Sequence, residues 1–378
     1  MTKKVRNPLL WILPVIFVLA ALGYAFMLPS QDQENGIPIA ANLPLSGPLS
    51  VYGIAVREGV EMYLDQHPQA ARRLLFDWQD NASDPATAVR IASRQLEGAS
   101  RIPYIYVSGV KPQTMAISSE VSRTNIPHFV WIFDADIRAA GSNNFRTWVS
   151  YKIEPDAYFE FMESRSARKV AVTYVQLPHT VEEFEGLIFP ELSERGIDYT
   201  AEVFEFGRTD FREIARRLMQ ANPDVIILNG FQLELAALVR ALRQEPGYDP
   251  SKIIGTYDLL DTAAILRPEE LEGISVVTPR FSTTAGRLEN EVWIEDFREK
   301  YGKDPLYTHA FAYDMSQVFD EATAQFTNQE TIPNLFSTIE LTSFSGITGE
   351  VSFDEDGDLI TPLSIGVFQN GEINISRQ

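Results

Sequence analysis

The sequence of 378 residues contains no cysteine. That excludes a disulfide framework, a thiolate metal site, a lipid-anchoring thioether and a cysteine nucleophile. Histidine is nearly as scarce, and the four present, His67, His128, His179 and His309, lie far apart and read as surface or structural residues. No G-x-S-x-G, H-E-x-x-H, G-x-x-x-x-G-K-[ST] or post-strand G-x-G-x-x-G occurs, so the familiar hydrolase, metalloprotease and nucleotide-binding signatures are missing. Basic residues are also short: 32 Lys+Arg stand against 52 Asp+Glu, a formal charge of -20. A surface that acidic repels nucleic acid and anionic lipid.

The few bases are unevenly placed. Lys3, Lys4 and Arg6 precede an apolar run from Pro8 to Leu28 that contains no charge. Its length is close to the roughly 20 residues that a membrane-crossing helix needs. Asn7 can cap such a helix, Pro8 suits its first position, and Trp11 and Tyr24 sit where aromatic rings favour the membrane interface. The basic flank then stays in the cytoplasm and the acidic body is exported. Residues 1–29 read as an uncleaved signal anchor, or as a signal peptide cleaved near Gly23-Tyr24-Ala25. The run exceeds the roughly 7–15 apolar residues of a cleaved signal, which favours the anchor. Residues 30–36 read as a polar linker.

From Ile37 onward, short β-type apolar runs alternate with helical periodicity. Strands are expected at Ile37–Leu43, Leu74–Trp78, Tyr104–Val107, Phe129–Ile132, Val170–Tyr174, Ala201–Phe206, Val225–Leu228, Ile253–Gly255 and Ile274–Val277. Between them, Val56, Val60, Tyr63 and Leu64, then Ala88, Ile91, Ala92 and Leu96, then Leu235, Leu238, Val239 and Leu242 repeat at helical spacing. Such alternation predicts parallel sheets built from βαβ units. The order proline, apolar strand, polar residue, glycine, helix, strand occurs from Ile102 and again from Asn222, which predicts two similar lobes. Further on, Glu291–Tyr301 and Tyr307–Phe326 read as helices, and Gly349–Phe353 with Pro362–Gln369 as a closing antiparallel hairpin. The acidic run Asp354–Asp358 between them departs from the EF-hand order and reads as a solvated turn, with no metal expected.

The turn Leu43-Pro-Leu-Ser-Gly-Pro-Leu-Ser-Val-Tyr-Gly53 follows the first strand and opens a helix, a place where backbone N–H groups can meet a ligand carboxylate. Asp258 and Asp261 read first as caps of a helix N-terminus.

Several of these pieces together carry a family resemblance. They are Ser46-Gly47-Pro48 with Tyr52-Gly53, Asp80-Asn-Ala-Ser-Asp84-Pro85 with Ala88-Val89 and Ala92, and Ile227-Leu-Asn-Gly230-Phe231. Tyr301-Gly-Lys-Asp-Pro305, Tyr313-Asp314 and Gly346-Ile-Thr-Gly349-Glu-Val-Ser-Phe353-Asp354 with Gly357-Asp358 follow in order. From Ile37 to about Ile375 the chain resembles the type I periplasmic binding proteins, specifically the branched-chain amino-acid (Leu/Ile/Val) substrate-binding proteins of ABC transporters. The resemblance implies two Rossmann-like α/β lobes, 37–150 with 282–345 and 151–281 with 346–378. Three hinge crossovers near Ser150–Pro155, Thr278–Ser282 and Ser345–Thr348 would join them.

The same resemblance implies a non-enzymatic function without a cofactor. A small amino acid, organic acid or amide is captured between the lobes and delivered to a membrane permease in the periplasm or at the outer face of the cytoplasmic membrane. An extracytoplasmic sensing module that signals to a membrane partner is the alternative. The implied ligand-binding residues are Tyr52, Ser108, Lys111, Asp134, Tyr174, Phe231, Tyr257 and Asp258. Tyr52 and Phe231 fall on aromatic contacts. Ser108 to Lys111 fall on the loop that meets the carboxylate, Trp131 to Asp134 on the loop that helps hold the amino acid, and Tyr257 or Asp258 on the ammonium-binding acid. In the carboxylate loop Lys111 and Pro112 replace small hydroxyl residues, and Lys111 with Trp131, Phe133, Phe231 and Tyr257 suits an aromatic or anionic ligand.

Overall fold

A computed structural model describes residues 36–97, 103–132, 137–148, 150–279, 288–324, 332–340 and 342–375. The expected anchor and most of the linker lie outside the described residues. Among the described residues no helix is long and apolar enough to cross a membrane.

The first sheet has five strands, β1 (Ile37–Leu43), β2 (Leu74–Asp80), β3 (Ile105–Gly109), β4 (His128–Trp131) and β5 (Asn144–Arg146), in the order β2-β1-β3-β4-β5 and all parallel. β1 and β3 are buried nearly throughout because helices cover both faces, which is why they read as unbroken apolar runs. On one face, Val56, Val60 and Tyr63 of helix Ser50–Gln66 pack with Phe311, Met315 and Val318 of helix Tyr307–Thr323. A Cβ on Gly59 would stand 2.2 Å from the His309 carbonyl oxygen, so only glycine permits that helix crossing.

The second sheet is built on β6 (Lys169–Val175), β7 (Asp198–Phe204), β8 (Val225–Leu228), β9 (Ile253–Gly255) and β10 (Ser275–Pro279), again parallel. Three short strands, β11 (Phe344–Gly346), β12 (Gly349–Phe353) and β13 (Leu359–Ile360), form a separate antiparallel sheet. The chain then adds β14 (Leu363–Gln369) and β15 (Glu372–Ile375) antiparallel to the second sheet, completing seven strands. The expected hairpin of Gly349–Phe353 with Pro362–Gln369 is thereby corrected. β12 pairs with β11 and β13, whereas β14 pairs with β10 and β15. Val351 and Leu359 are buried in the first sheet's core, so the chain returns to the second sheet near Leu363, downstream of residues 345–348.

The crossover region is fastened by two carboxylates. Asp314, within helix Tyr307–Thr323, accepts hydrogen bonds from the Ile347 and Thr348 amides at 2.8 Å each and from Thr348 Oγ1 at 2.5 Å. A Cβ on Gly346 would come within 2.5 Å of that carboxylate, which explains the glycine. Asp358 forms a bidentate ion pair with Arg146, and both side chains are at most 3% exposed. The turn before it leaves Glu355 and Asp356 exposed and buries only its end. Asp354, Asp356 and Asp358 converge, and Lys152 Nζ lies 3.6, 2.6 and 3.2 Å from their oxygens. Burial alone would lower the Lys152 pKa, but its hydrogen bond to Asp356 and the charge of Asp358 outweigh it and hold the ammonium charged. A lysine therefore occupies the place a cation would take.

Candidate ligand-binding cleft

A cavity of about 200 Å³ opens where the C-terminal ends of the two sheets' strands approach each other. In α/β sheets those ends are where ligands bind, because loops and helix N-termini converge there. Leu43 ends β1, Gly109 ends β3 and Trp131 ends β4, and all three line the cavity. Tyr52 and Gly53 contribute from the first turn of helix Ser50–Gln66, and Tyr307 and Thr308 from the start of helix Tyr307–Thr323. Trp148 contributes from the approach to the first crossover. The opposite lobe supplies Phe231, just after β8, and Asp258, just after β9.

The two walls differ in charge. Lys111 begins helix Lys111–Ser122, which has no side-chain N-cap, so a basic residue and the positive end of the helix dipole lie at the cavity wall from the first lobe. Val110 before it has φ +68°, a region β-branched residues avoid, so backbone strain is stored at the cavity wall. Among the described residues the buried Trp131 Nε1 has no hydrogen-bond partner. From the second lobe, Asp258 is held well above the usual carboxylate range by burial and by the charges of Asp261, Glu154 and Glu234. Tyr52 is raised by burial and by the charges of Asp261 and Asp258.

A smaller pocket of about 20 Å³ adjoins the first, sharing Phe231 and Asp258. It is walled by Tyr151, Glu154, His179, Glu183, Asn229 and Tyr257, among others. Tyr257 is nearly buried, and Trp148 Nε1 donates to its hydroxyl at 3.0 Å. Trp148 packs on Tyr307 at 5.2 Å, so an aromatic cluster joins the two lobes at the base of the cleft.

Among the residues expected to bind ligand, Tyr52, Lys111, Phe231 and Asp258 line the main cavity and Tyr257 the adjoining pocket. Ser108 and Tyr174 are turned elsewhere. Ser108 Oγ lies 2.8 Å from His128 Nε2 and 3.0 Å from Thr114 Oγ1 inside the first lobe. Tyr174 stacks on Phe184 at 4.7 Å and donates to Glu185 Oε1 at 2.8 Å. Asp134 lies outside the described residues. The sequence reading passed over Glu154 and Glu183, because acids near helix starts are ordinary and nothing in their spacing signals burial. It also passed over Trp148 and Tyr307, whose one available signal was a large aromatic beside a crossover or at a helix start.

Residues 36–372 match the family described as periplasmic binding protein. The chain belongs to that family. A curated relative, Leu/Ile/Val-binding protein homolog 1 of Brucella abortus, is 22% identical over 339 residues, covering 85% of this chain and 86% of its own. The substrate-binding protein LivJ of Streptococcus pneumoniae, solved in complex with isoleucine, superposes with a TM-score of 0.71 at 19% identity, covering 91% of this chain and all of LivJ. A solute-binding protein of an ABC transporter from Rhodopseudomonas palustris, solved with p-hydroxybenzoic acid, gives 0.72 at 18% identity and covers 91% of this chain and 96% of its own. At these identities the likeness is one of fold. The two largely parallel sheets with a cleft between their strand ends are the architecture of a periplasmic binding protein.

The acids of the second lobe give this binding protein a pH signature. Burial pushes Glu154 up to about 7, against hydrogen bonds from Thr256 and the Tyr257 amide that favour its charged form. Burial first, and then the charges of Glu154 and Asp258, raise Glu183 well above its ordinary value. Groups whose folded pKa is raised bind protons more tightly in the folded state. Their stabilisation is complete below about pH 4.5 and is lost as pH rises towards 7 and beyond. The depressed carboxylates, such as Glu270 and Asp210, act below that window. Raising the pH from 5 to 8 should therefore lower the melting temperature, and Glu154→Gln should reduce the drop. An identical pH slope in the variant would remove Glu154 from the account.

Proposed function

We propose that the chain is an exported solute-binding protein that captures a small organic acid, amino acid or amide between its two lobes and delivers it to the permease of an ABC transporter. The observation that carries this reading is the polarity of the main cavity. Lys111 on a helix N-terminus faces Asp258 across a wall of aromatic rings, Tyr52, Trp131, Trp148, Phe231 and Tyr307. A carboxylate suits the first pole and the rings suit an apolar or aromatic body. Relatives of the same fold were solved with isoleucine and with p-hydroxybenzoic acid, which brackets that chemistry. The role is capture and release, with no bond made or broken. Ligand touching both walls favours the closed state, which is what a partner can recognise. Residues 8–28 would tether the protein to the outer face of the cytoplasmic membrane.

Thermal-shift measurements with L-leucine, L-phenylalanine, benzoate, 4-hydroxybenzoate and benzamide test the reading. A ligand at 100 times its Kd adds about 2.7 kcal/mol of stability. Tyr52→Ala and Phe231→Ala are each expected to weaken the ligand found by about tenfold or more, as buried aromatic anchors do. Unchanged affinity in both, or no shift with any probe, would overturn it. Ligand binding that leaves the ATPase of the cognate transporter unaffected would move the protein to a sensing role.

A further inference from the structure

The second sheet ends in a long strand edge with little to guard it. Among the described residues β7 lies last in the strand order and pairs on one side alone, with β6. An exposed edge invites another strand, and proteins blunt such edges with short strands, charges or proline. The other edges of the two large sheets are blunted in this way. β5 has three residues and β15 four, and the positions of β2 that stand exposed are Asp77 and Asp80. β7 runs for seven residues without lysine, arginine, proline or glycine, and Tyr199, Ala201 and Val203 are exposed along one face of it. Tyr199 stacks on Phe189 at 4.5 Å, and Phe206, 66% exposed, prolongs the apolar strip beyond the strand.

We propose that β7 pairs with β7 of a second copy of this chain, antiparallel across a two-fold axis at Ala201, so that the two second sheets join edge to edge. The strand's own backbone fixes that register. The Asp198 amide donates to the Arg168 carbonyl at 2.9 Å and the Phe204 carbonyl accepts from the Gln176 amide at 2.7 Å, both on the β6 side. Alternate residues of a strand turn their backbone groups to opposite sides, so Tyr199, Ala201 and Val203 present N–H and C=O to the open edge. Centred on Ala201, an antiparallel partner sets Ala201 against Ala201 and Tyr199 against Val203, each a hydrogen-bonded pair. Tyrosine opposite valine is also a favourable cross-strand pair.

Features beside the strand match the same axis. Continued past its ends, the register brings Phe206 to Gly196, where a Cβ would meet nothing within 4 Å, and Glu194 to Arg208. An open groove of about 590 Å³ beside Val203, Phe206 and Arg208 lies where the partner's strand would enter. Charge permits the approach. From Arg195 to Arg217 five arginines balance five acids, in a chain whose formal charge is -20, so this edge does not repel its own copy. A second copy is thus the occupant that carries the matching strand, gap and charges, as an isologous contact requires. Phe206 also meets Phe231 edge-on at 5.5 Å, so the interface would steady one wall of the cleft. The pairing does not depend on which solute that cleft takes.

The absence of cysteine makes the test clean, because one introduced thiol has no competitor. The full-length chain in density-matched detergent is expected to sediment with twice the mass of one chain. Ala201→Cys, treated with a short bis-maleimide, should cross-link to a dimer far more than Val292→Cys, which is equally solvent-facing on the first lobe. Two variants should lose the dimer while keeping the melting temperature. Ala201→Pro removes an outward N–H that β6 does not use, and Val203→Lys puts a charge on the edge. A monomer at every concentration, a dimer retained in both variants, or cross-linking at Ala201→Cys no stronger than at Val292→Cys overturns the proposal. So does a cross-link in an envelope extract whose mass is not twice the chain, which would assign the edge to another protein.

Discussion

Replacing Asp358 with Ala is expected to lower the unfolding free energy by about 3–5 kcal/mol, because it takes the bidentate carboxylate from a guanidinium, Arg146, that stays in the interior. The pair is nearly inaccessible to solvent, with side-chain exposures of 3% and 1%. Its backbone is also engaged, since the Arg146 amide donates to the Gly357 carbonyl at 2.8 Å. The cost belongs to a buried charge that has lost its counter-charge more than to the pair itself. An apolar replacement of both residues, such as Arg146→Met with Asp358→Leu, should therefore recover much of the loss. Urea unfolding of the two singles and the double reads this directly. Strictly additive losses would show that the two side chains act independently.

Asp314→Ala is expected to cost a similar amount, about 3–5 kcal/mol, by another route. Two backbone amides and one hydroxyl lose their acceptor at once, and each buried donor left unmatched costs about 1–3 kcal/mol. Asp314→Asn keeps one oxygen and should cost markedly less. Denaturant midpoints of the two variants at constant m-value test this. Equal losses would mean that the charge, and not the number of accepted bonds, holds the Ile347–Thr348 segment.

Much of the frame was legible in the sequence for a simple physical reason. β1, β8 and β9 have the bounds that their apolar runs suggested, because strands covered on both faces announce themselves as unbroken hydrophobic stretches. β5, Asn144–Arg146, was passed over because it is three residues long and two of them are polar. The tail was misread because strand propensity carries no information about which sheet a strand joins, so β12 and β14 looked like partners. At the cleft, the family resemblance pointed to Tyr52, Phe231 and Asp258, and the fold sets them after β1, β8 and β9, at the strand ends. Ser108 lies within β3 itself, where its hydroxyl is spent on His128 and Thr114. Glu154 and Glu183 were invisible for the opposite reason. Their burial comes from the packing of helix Glu154–Ser164 and the segment Glu182–Ile188 onto the second sheet, a tertiary fact with no local sequence mark.

The clasp between Arg146 and Asp358 joins positions 212 apart in the chain. The first sheet is complete by Arg146, yet the carboxylate that clasps it comes only near the last strands. The helix Tyr307–Thr323 that covers the same core arrives almost as late. Contacts of such separation close slowly, because the loop entropy is spent before the contact rewards it. The first lobe is thus one that a ribosome cannot finish halfway. A nascent chain stays uncommitted until synthesis is almost over, which is the state in which a polypeptide can still be threaded through a membrane.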